Sequence, residues 1–302
     1  MQEPLVSIII TNHNYGHFLR EAIDSALVQT YPHIEVIVVD DGSTDDSREI
    51  ITSYKDQIVP ILKTNGGHTP AINTGFSATN GELICWLDSD DIFFSNKVDQ
   101  VVKAHRTHPE AVLIYHRLQI IDSAGVKKHR PWPRDVWAGS LQDRVVRSGG
   151  WWPRPTTSAM VFTRTFLERL HPMPECSIAG RATWPDAYAG DLAPFLGDVV
   201  GLRDALACYR LHGRNNSQTQ FNAKIRADQH VYEREQLQRG LSCFGIDISL
   251  NDIDCNFGYI RESYVLHRDA SARRMFWLIA TCPFLSFSSR IRELAKLAVR
   301  RR

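Results

Sequence analysis

The feature that most constrains the fold is a regular alternation, between residues 6 and 115, of short β-branched runs with longer segments of helical periodicity. The runs predict strands at residues 6–10, 35–39, 58–62, 83–87 and 111–115. The segments between them predict helices at about 18–29, 45–54, 70–79 and 96–107. A series of βαβ units of this kind implies an α/β fold with a mostly parallel central sheet flanked by helices.

Four polar loops follow the first four predicted strands, at residues 11–16, 40–45, 63–68 and 88–91. Ligands of such sheets bind outside the carboxyl ends of the strands. We therefore expect the four loops to converge on one edge and to form the functional site. Later in the chain, residues 119–155 are rich in Trp, Pro and Arg without clear periodicity, which predicts loops; a strand at 158–163 and a helix at 165–170 then follow.

Three carboxylates, Asp88, Asp90 and Asp91, directly follow the apolar run 83–87. Burying an unpaired carboxylate is costly, so such a cluster lies at the surface, caps a helix or holds a hard cation. An all-oxygen ligand set favours Mg²⁺ or Mn²⁺. Taken alone, the tripeptide fits a solvated loop or helix cap equally well.

Composition narrows the class of protein. The 302 residues suffice for one large domain with an appendage or for two modest domains, and the net charge of +1 argues against a nucleic-acid partner. Six dispersed cysteines without Cys-x-x-Cys spacing indicate a reducing compartment. No signal peptide is predicted, and the apolar run 275–285 is shorter than the roughly 20 residues of a membrane span. We expect a cytoplasmic protein.

The loop after the second predicted strand offers hydrogen-bond acceptors at Asp40 and Asp41 beside a tight turn, which suits a pyrimidine imide or a ribose hydroxyl. Ser43 or Asp45 alternatively caps the next helix. The glycine fingerprint of dinucleotide-binding folds is missing after the first strand, and the P-loop motif is missing throughout. Dinucleotide cofactors and P-loop hydrolysis are therefore excluded.

Ordered motifs at residues 6–15, 25–32, 38–45, 65–67, 71–75 and 81–91 together resemble the family 2 glycosyltransferases, whose fold is called GT-A. The resemblance implies that Thr11 and Asp41 contact the nucleoside of a sugar nucleotide. It implies that Asp88 contacts ribose or metal and that Asp90 binds the Mn²⁺ or Mg²⁺ that bridges the diphosphate. The further donor-binding residues implied are His13, Asn14, Asn73, Arg210 and His212. His212 is also a candidate metal ligand.

Two departures from the family pattern bear on the donor. His13 replaces the Tyr usual in the first loop, and Ile72 replaces a frequent Arg. Imidazole offers less stacking area than phenol, and the second change suits a different donor. Arg210 and Arg214 could neutralise phosphate oxygens, while arginines that flank a strand also form surface ion pairs.

The resemblance also implies a carboxylate base about a hundred residues after the metal motif, and the spacing to Gly197 selects Asp186. Pro185 replaces the Glu that usually precedes the base, so Asp191 is the alternative. A purely structural role for Asp186 would be a helix N-cap after Pro185. A base that deprotonates the acceptor hydroxyl is required for glycosyl transfer with inversion.

We predict a GT-A domain at residues 1–220, with a nucleotide-sugar half at 1–115 and an acceptor half at 116–220, and a helical C-terminal region at 221–302. The implied activity is transfer from a nucleoside-diphosphate sugar, expected to be a uridine diphosphate sugar, to a glycan or lipid-linked acceptor in cell-surface polysaccharide or cell-wall synthesis. Alternatives are a catalytically silent carbohydrate-binding or scaffold protein, a metal-independent glycoside hydrolase and a nucleotidyltransferase.

The C-terminal tail is basic and has apolar residues at helical spacing. It fits a helix on the inner face of an anionic cytoplasmic membrane, or a helix packed on the domain with solvated arginines. Four tryptophans suit sugar rings or the seam of a lid, namely Trp132, Trp137, Trp151 and Trp152.

Overall fold

The computed structural model describes residues 3–175, 184–215, 223–251, 256, 259, 290 and 291. Its central feature is an eight-stranded sheet. The strands are β1 (Val6–Asn12), β2 (Ile34–Asp41), β3 (Val59–Lys63), β4 (Leu83–Asp88), β5 (Ile92–Phe93), β6 (Ala111–Asp122), β7 (Met160–Thr163) and β8 (Asp198–Leu211). Their spatial order is β3-β2-β1-β4-β7-β6-β8-β5.

The helices are α1 (Gly16–Leu27), α2 (Ser47–Ser53), α3 (His68–Ser77), α4 (Lys97–Thr107), α5 (Gln142–Arg147), α6 (Arg164–Leu170), α7 (Pro185–Leu196) and α8 (Ala223–Cys243). Short 3-10 turns lie at Lys55–Gln57 and Thr157–Ala159. Helices α1, α2 and α3 connect the first four strands, as the sequence predicts for βαβ units.

The first half of the sheet is parallel, since β1 pairs with β2 and β4, and β2 pairs with β3. Every residue of β1 is buried. Strands buried on both faces need continuous apolar runs, and this is the pattern in residues 8–10, 36–39 and 83–87. The parallel register brings the carboxyl ends of β1, β2 and β4 to one edge, where Thr11 lies beside Asp88.

The second half of the sheet is mixed. Strand β7 is antiparallel to β4 and β6, β8 is parallel to β6, and β5 is antiparallel to β8. The pairing of β5 with β8 connects the turn at residues 88–91 to the last strand, because Ile92 lies opposite Cys208.

The predicted α/β class is confirmed, and all five strands predicted before residue 116 are present. The predicted loop region at 119–155 is partly wrong, because β6 continues to Asp122 beside β8 and α5 forms at Gln142–Arg147. The strand predicted from residue 158 begins at Met160, after a 3-10 turn.

The chain divides into two compact units, one of Met1–Ser140 with Arg154–His212 and one of Leu141–Pro153 with Gly213–Arg302. In the second unit α8 buries Leu237 and Leu241, and the amide N–H of Asn251 donates to the carbonyl of Val146 at 3.2 Å. The predicted division at residue 220 stays a prediction. The predicted basic C-terminal helix lies outside the described residues, apart from Arg290 and Ile291. None of the described helices has the length and apolarity of a membrane span.

Candidate active site

The loop after β2 is anchored by Asp40, whose side chain is fully buried. Its Oδ2 accepts hydrogen bonds from Nε of Arg48 at 2.8 Å and from the Ser43 amide at 3.1 Å, and its Oδ1 accepts one from Asn12 at 3.1 Å. Burial raises the pKa of Asp40, but the hydrogen bonds from Ser43, Arg48 and Asn12 outweigh it and lower the pKa below its ordinary value. This carboxylate is therefore stable as an anion within the fold.

Asp41, the candidate nucleoside ligand, joins the second loop to the third. Its Oδ1 accepts from Nζ of Lys63 at 2.6 Å and from the Gly66 amide at 2.9 Å, and its Oδ2 accepts from the Gly67 amide at 2.7 Å. Gly67 has φ +94°, a left-handed conformation that favours glycine. Asp41 thereby fixes the backbone that leads into α3.

His13 and Asn14 lie exposed at the end of β1. Nδ1 of His13 is 2.8 Å from the carbonyl oxygen of Asp41, and Nδ2 of Asn65 is 3.2 Å from its Nε2. Asn14 has φ +59° and accepts a hydrogen bond from the Thr44 amide at 2.7 Å. The first three loops thus meet at one edge, as predicted.

Asp88, Asp90 and Asp91 form the acidic cluster, and one carboxylate oxygen from each lies within 4.8 Å of the others. Burial, followed by the charges of Asp90 and Asp186, raises the pKa of Asp88 well above its ordinary value. Burial and the charges of Asp90 and Asp88 do the same for Asp91. Negative charge is therefore concentrated in this turn beyond what its surroundings offset.

Ser158 fixes the turn at residues 88–91 through hydrogen bonds. Its hydroxyl donates to Oδ2 of Asp91 at 2.6 Å and accepts from the Asp88 amide at 3.1 Å. Its carbonyl accepts from Nζ of the fully buried Lys97 at 2.8 Å. Burial lowers the pKa of Lys97 to about 7, although Cys85 and Asp91 favour its charged form. Lys97 is thus only a partial counter-charge for the cluster at neutral pH.

The end of β8 and the residue that follows it complete the site. Nε2 of His212 is 2.8 Å from Oδ2 of Asp90, and its ring packs 5.1 Å from the ring of Phe18. Arg210 is 2% exposed; its Nε donates to the carbonyl of Asp90 at 2.9 Å, and it forms an ion pair with Glu21. This arrangement gives Arg210 a part in holding the acidic turn, and its contact with a donor phosphate stays a prediction.

Asp186 lies in the first turn of α7, after Pro185. The N-cap of α7 is Trp184, so the purely structural N-cap role considered for Asp186 is wrong. Its charge raises the pKa of Asp88 and favours the protonated form of His68, so Asp186 lies within electrostatic reach of the acidic cluster. The alternative, Asp191, is 8% exposed and accepts from Nε of Arg154 at 2.8 Å.

The side chain of Asn73 is hydrogen-bonded to the backbone of Met173. Its Nδ2 donates to the carbonyl of Met173 at 2.9 Å, and its Oδ1 accepts from the Met173 amide at 2.9 Å. This pair of bonds ties α3 to the segment after α6. The assignment of Asn73 to the donor stays a prediction, and the structure shows a connection between two segments.

The four tryptophans differ in exposure. Trp137 and Trp152 are each 4% exposed and belong to the interior, which fits an apolar seam better than a sugar platform. Trp132 is 40% exposed and is paired through its backbone with Leu118. Of the four, Trp132 offers the most open ring face.

His68 was not among the predicted site residues. It begins α3, and its Nε2 lies 3.9 Å from Oδ1 of Asp88. The signal for it in the sequence was its place in the polar loop 63–68, but a single histidine in a glycine-rich loop does not reveal which carboxylates it will face.

Comparisons with known proteins identify the class. The structure is similar to that of TarS 1–349 from S. aureus in complex with UDP-GlcNAc, with a TM-score of 0.62 at 15% identity, covering 89% of this chain and 75% of that one. It is also similar to the mannosyltransferase PcManGT from Pyrobaculum calidifontis in complex with GDP-Man and Mn²⁺, with a TM-score of 0.53 at 18% identity, covering 99% and 81%. The fold is therefore GT-A, as predicted.

The family follows from sequence. Residues 7–171, more than half of the chain, match the model of glycosyl transferase family 2. An uncharacterized glycosyltransferase from Nostoc sp. (strain PCC 7120) is 31% identical over 305 residues, covering 96% of this chain and 93% of the relative. Glycosyltransferase GlyG from Streptococcus pneumoniae is 29% identical over 225 residues, covering 72% and 74%. The chain belongs to glycosyl transferase family 2.

Proposed function

We propose that this glycosyltransferase transfers a sugar, with inversion and with the help of a divalent cation, from a nucleoside-diphosphate sugar to a hydroxyl group of a glycan or lipid-linked acceptor. The observation that carries the proposal is the acidic cluster of Asp88, Asp90 and Asp91. The cluster lies beside His212 and within electrostatic reach of Asp186. It combines a cation site and a candidate base at the carboxyl edge of the sheet, where ligands of such sheets bind.

The nucleoside is assigned to the edge formed by the first three loops. Thr11, His13 and Asp41 lie there, and Asp41 accepts backbone N–H groups at 2.7 and 2.9 Å, which are donors of the same kind as an imide N–H. TarS binds UDP-GlcNAc and PcManGT binds GDP-Man. We favour a uridine diphosphate sugar as the donor.

The cation is assigned to Asp88, Asp90 and His212. The residues fit a hard cation, because carboxylate oxygens predominate. Burial, followed by the neighbouring carboxylates, raises the pKa of Asp88 and Asp91, and a bound cation would offset this cost of holding their charge. Mn²⁺ or Mg²⁺ suits this set, and PcManGT was solved with Mn²⁺. When bound, such an ion neutralises charge that develops on the leaving diphosphate.

The base is assigned to Asp186. A base must reach the acceptor hydroxyl without being committed to a strong partner in the fold. Asp191 is held by Arg154 at 2.8 Å and is nearly buried, whereas Asp186 lies in the first helical turn and within electrostatic reach of the acidic cluster. Asp186 would accept the hydroxyl proton as the acceptor oxygen attacks the anomeric carbon.

We also propose that the protein works in the cytoplasm, at the inner face of the membrane, on precursors of cell-surface polysaccharide or cell-wall glycan. The cysteines whose state the structure describes, Cys85, Cys208 and Cys243, are free thiols, which suits a reducing compartment. The proposed membrane contact is assigned to the basic C-terminal region.

A direct test measures release of nucleoside diphosphate from a panel of sugar nucleotides, with Mn²⁺ and with EDTA, in the presence of extracts containing glycan acceptors. We expect Mn²⁺-dependent release from one sugar nucleotide and transfer of its sugar. Metal-independent cleavage of glycosides would instead favour a hydrolase. Glycan binding without turnover of any sugar nucleotide would favour a silent carbohydrate-binding protein.

A further inference from the structure

The side chain of His68 is placed by the loop that Asp41 anchors. His68 follows Gly67, whose amide donates to Asp41 at 2.7 Å, and it is the first residue of α3. Its side chain is 23% exposed. The ring position is therefore fixed by the same carboxylate that is assigned to the nucleoside, so binding there and the orientation of His68 are connected.

Nε2 of His68 is buried and has no hydrogen-bond partner within the part of the chain that the structure describes. Oδ1 of Asp88 lies 3.9 Å from this nitrogen, which is too long for a hydrogen bond. Buried polar groups in folded proteins are almost always paired, so an unpaired one calls for a ligand or water at that position.

The surroundings of the ring define what that ligand can be. Oδ1 of Asp88, in the proposed cation site, lies 3.9 Å from Nε2 of His68, and the charge of Asp186, the proposed base, acts on both residues. The ring of Trp184 stands edge-on to that of His68, with centroids 6.2 Å apart. An aromatic ring beside an unpaired hydrogen-bonding group is suited to a sugar, which has both C–H faces and hydroxyl groups.

The chemistry of transfer restricts the position of the sugar further. Its anomeric carbon must lie between the diphosphate, which the cation site holds, and the acceptor hydroxyl, which the base touches. In this chain that is the space between Asp88 and Asp186. His68 lies beside Asp88 and within electrostatic reach of Asp186, and neither the cation site nor the nucleoside edge uses its Nε2.

We propose that His68 and Trp184 form the subsite for the transferred sugar, in which Nε2 of His68 hydrogen-bonds to a sugar hydroxyl. This inference rests on the proposed function. It makes His68 a residue that selects among sugars, through which hydroxyl is present and how it is oriented, while the nucleoside is selected by the edge around Asp41.

The test compares a sugar nucleotide with the matching nucleoside diphosphate. Dissociation constants are measured by calorimetry with Mn²⁺ for UDP and UDP-GlcNAc, and for GDP and GDP-mannose, in wild type, His68→Ala and His68→Gln. We expect His68→Ala to weaken the sugar nucleotide about 10- to 100-fold and the diphosphate less than about threefold. Gln keeps an N–H donor and should restore part of the affinity. His33→Ala, at the opposite end of β2, is the matched control and should change neither value.

Each other outcome overturns the subsite. Equal loss of affinity for the sugar nucleotide and the diphosphate would place His68 on a phosphate. Unchanged affinity for both, in a variant whose melting temperature matches wild type, would show that the ring touches no part of the donor. If wild type binds none of the four nucleotides, the proposed function fails together with the subsite, which distinguishes this result from failure of the subsite alone.

Discussion

Two acidic loops lie at the carboxyl edge of the sheet, after the strands β2 and β4 that flank β1, and they are built in opposite ways. In the loop after β2, Asp40 accepts from Arg48 and Asp41 accepts from Lys63, and backbone N–H groups fill the remaining sites. In the loop after β4, burial and mutual repulsion raise the pKa of Asp88 and Asp91.

The carboxylates of the two loops therefore have different roles, although both loops lie at the same edge of the sheet. A carboxylate with its counter-charge inside the fold contributes to stability on its own, and the lowered pKa of Asp40 is the sign of this. A cluster whose acids raise each other's pKa costs stability until a cation arrives. The carboxylates after β2 therefore have their counter-charges within the fold, whereas the acidic cluster after β4 is suited to a bound cation.

The largest expected effect is on turnover and comes from changing Asp186 in α7, whose charge acts on the acidic cluster. Asp186→Asn removes the proposed base and should lower the rate about 10²- to 10⁴-fold while donor affinity stays near that of wild type. Steady-state kinetics and donor binding measured on the same preparation check this. In the companion variant Asp191→Asn the partner of Arg154 is lost, and we expect reduced stability with turnover retained. Full turnover in Asp186→Asn would transfer the role of base to Asp191.

The comparison of the loops predicts effects of opposite sign for the same chemical change. Asp40→Asn should lower the free energy of unfolding by about 1–3 kcal/mol, because Arg48 loses its buried counter-charge. Asp88→Asn should raise it in EDTA at pH 7, because the mutated side chain no longer adds charge to the cluster. Urea unfolding of the two variants measures both. Destabilisation by Asp88→Asn without metal would mean that the cluster is already balanced.

The last expected effect is on how the free energy of unfolding depends on pH, and it comes from Lys97. Unfolded, this lysine keeps its proton up to about pH 10.4, whereas in the fold its pKa is about 7. Between these values unfolding takes up a proton, so raising the pH stabilises the wild type by at most about 1.4 kcal/mol per pH unit. Lys97→Met lacks this contribution. Urea unfolding at pH 7, 8 and 9 should show wild type gaining on the variant, and parallel curves would contradict the assignment.

Much of the fold could be predicted from local pattern. Strands β1, β2 and β4 have continuous β-branched or apolar runs, and these runs are buried on both faces. Strand β5 has only two residues and exists because Ile92 and Phe93 pair with β8, which no local pattern reveals. The same holds for the end of β6, where pairing with β8 extends a strand into a segment that we expected to be a loop.

The site shows the same limit. Asp88 and Asp90 could be predicted because they are neighbours in sequence and follow an apolar strand. His68, Lys97 and Ser158 could not, because each acquires its partner from a distant segment; the bond from Ser158 to Asp91 crosses 67 positions. Arg210 was predicted from its motif, but only the structure shows that its guanidinium holds the carbonyl of Asp90.

In the function we propose, the acidic loop after β4 holds a cation that binds a nucleoside diphosphate. The most direct measurement is the melting temperature with UDP, GDP and deoxythymidine diphosphate, with and without Mn²⁺, in wild type and Asp90→Ala. We expect one diphosphate to raise the melting temperature by about 5 °C at a concentration of about 100 times its dissociation constant. The rise should require Mn²⁺ and disappear in Asp90→Ala. No shift in wild type with any diphosphate, or an equal shift in Asp90→Ala, would contradict it.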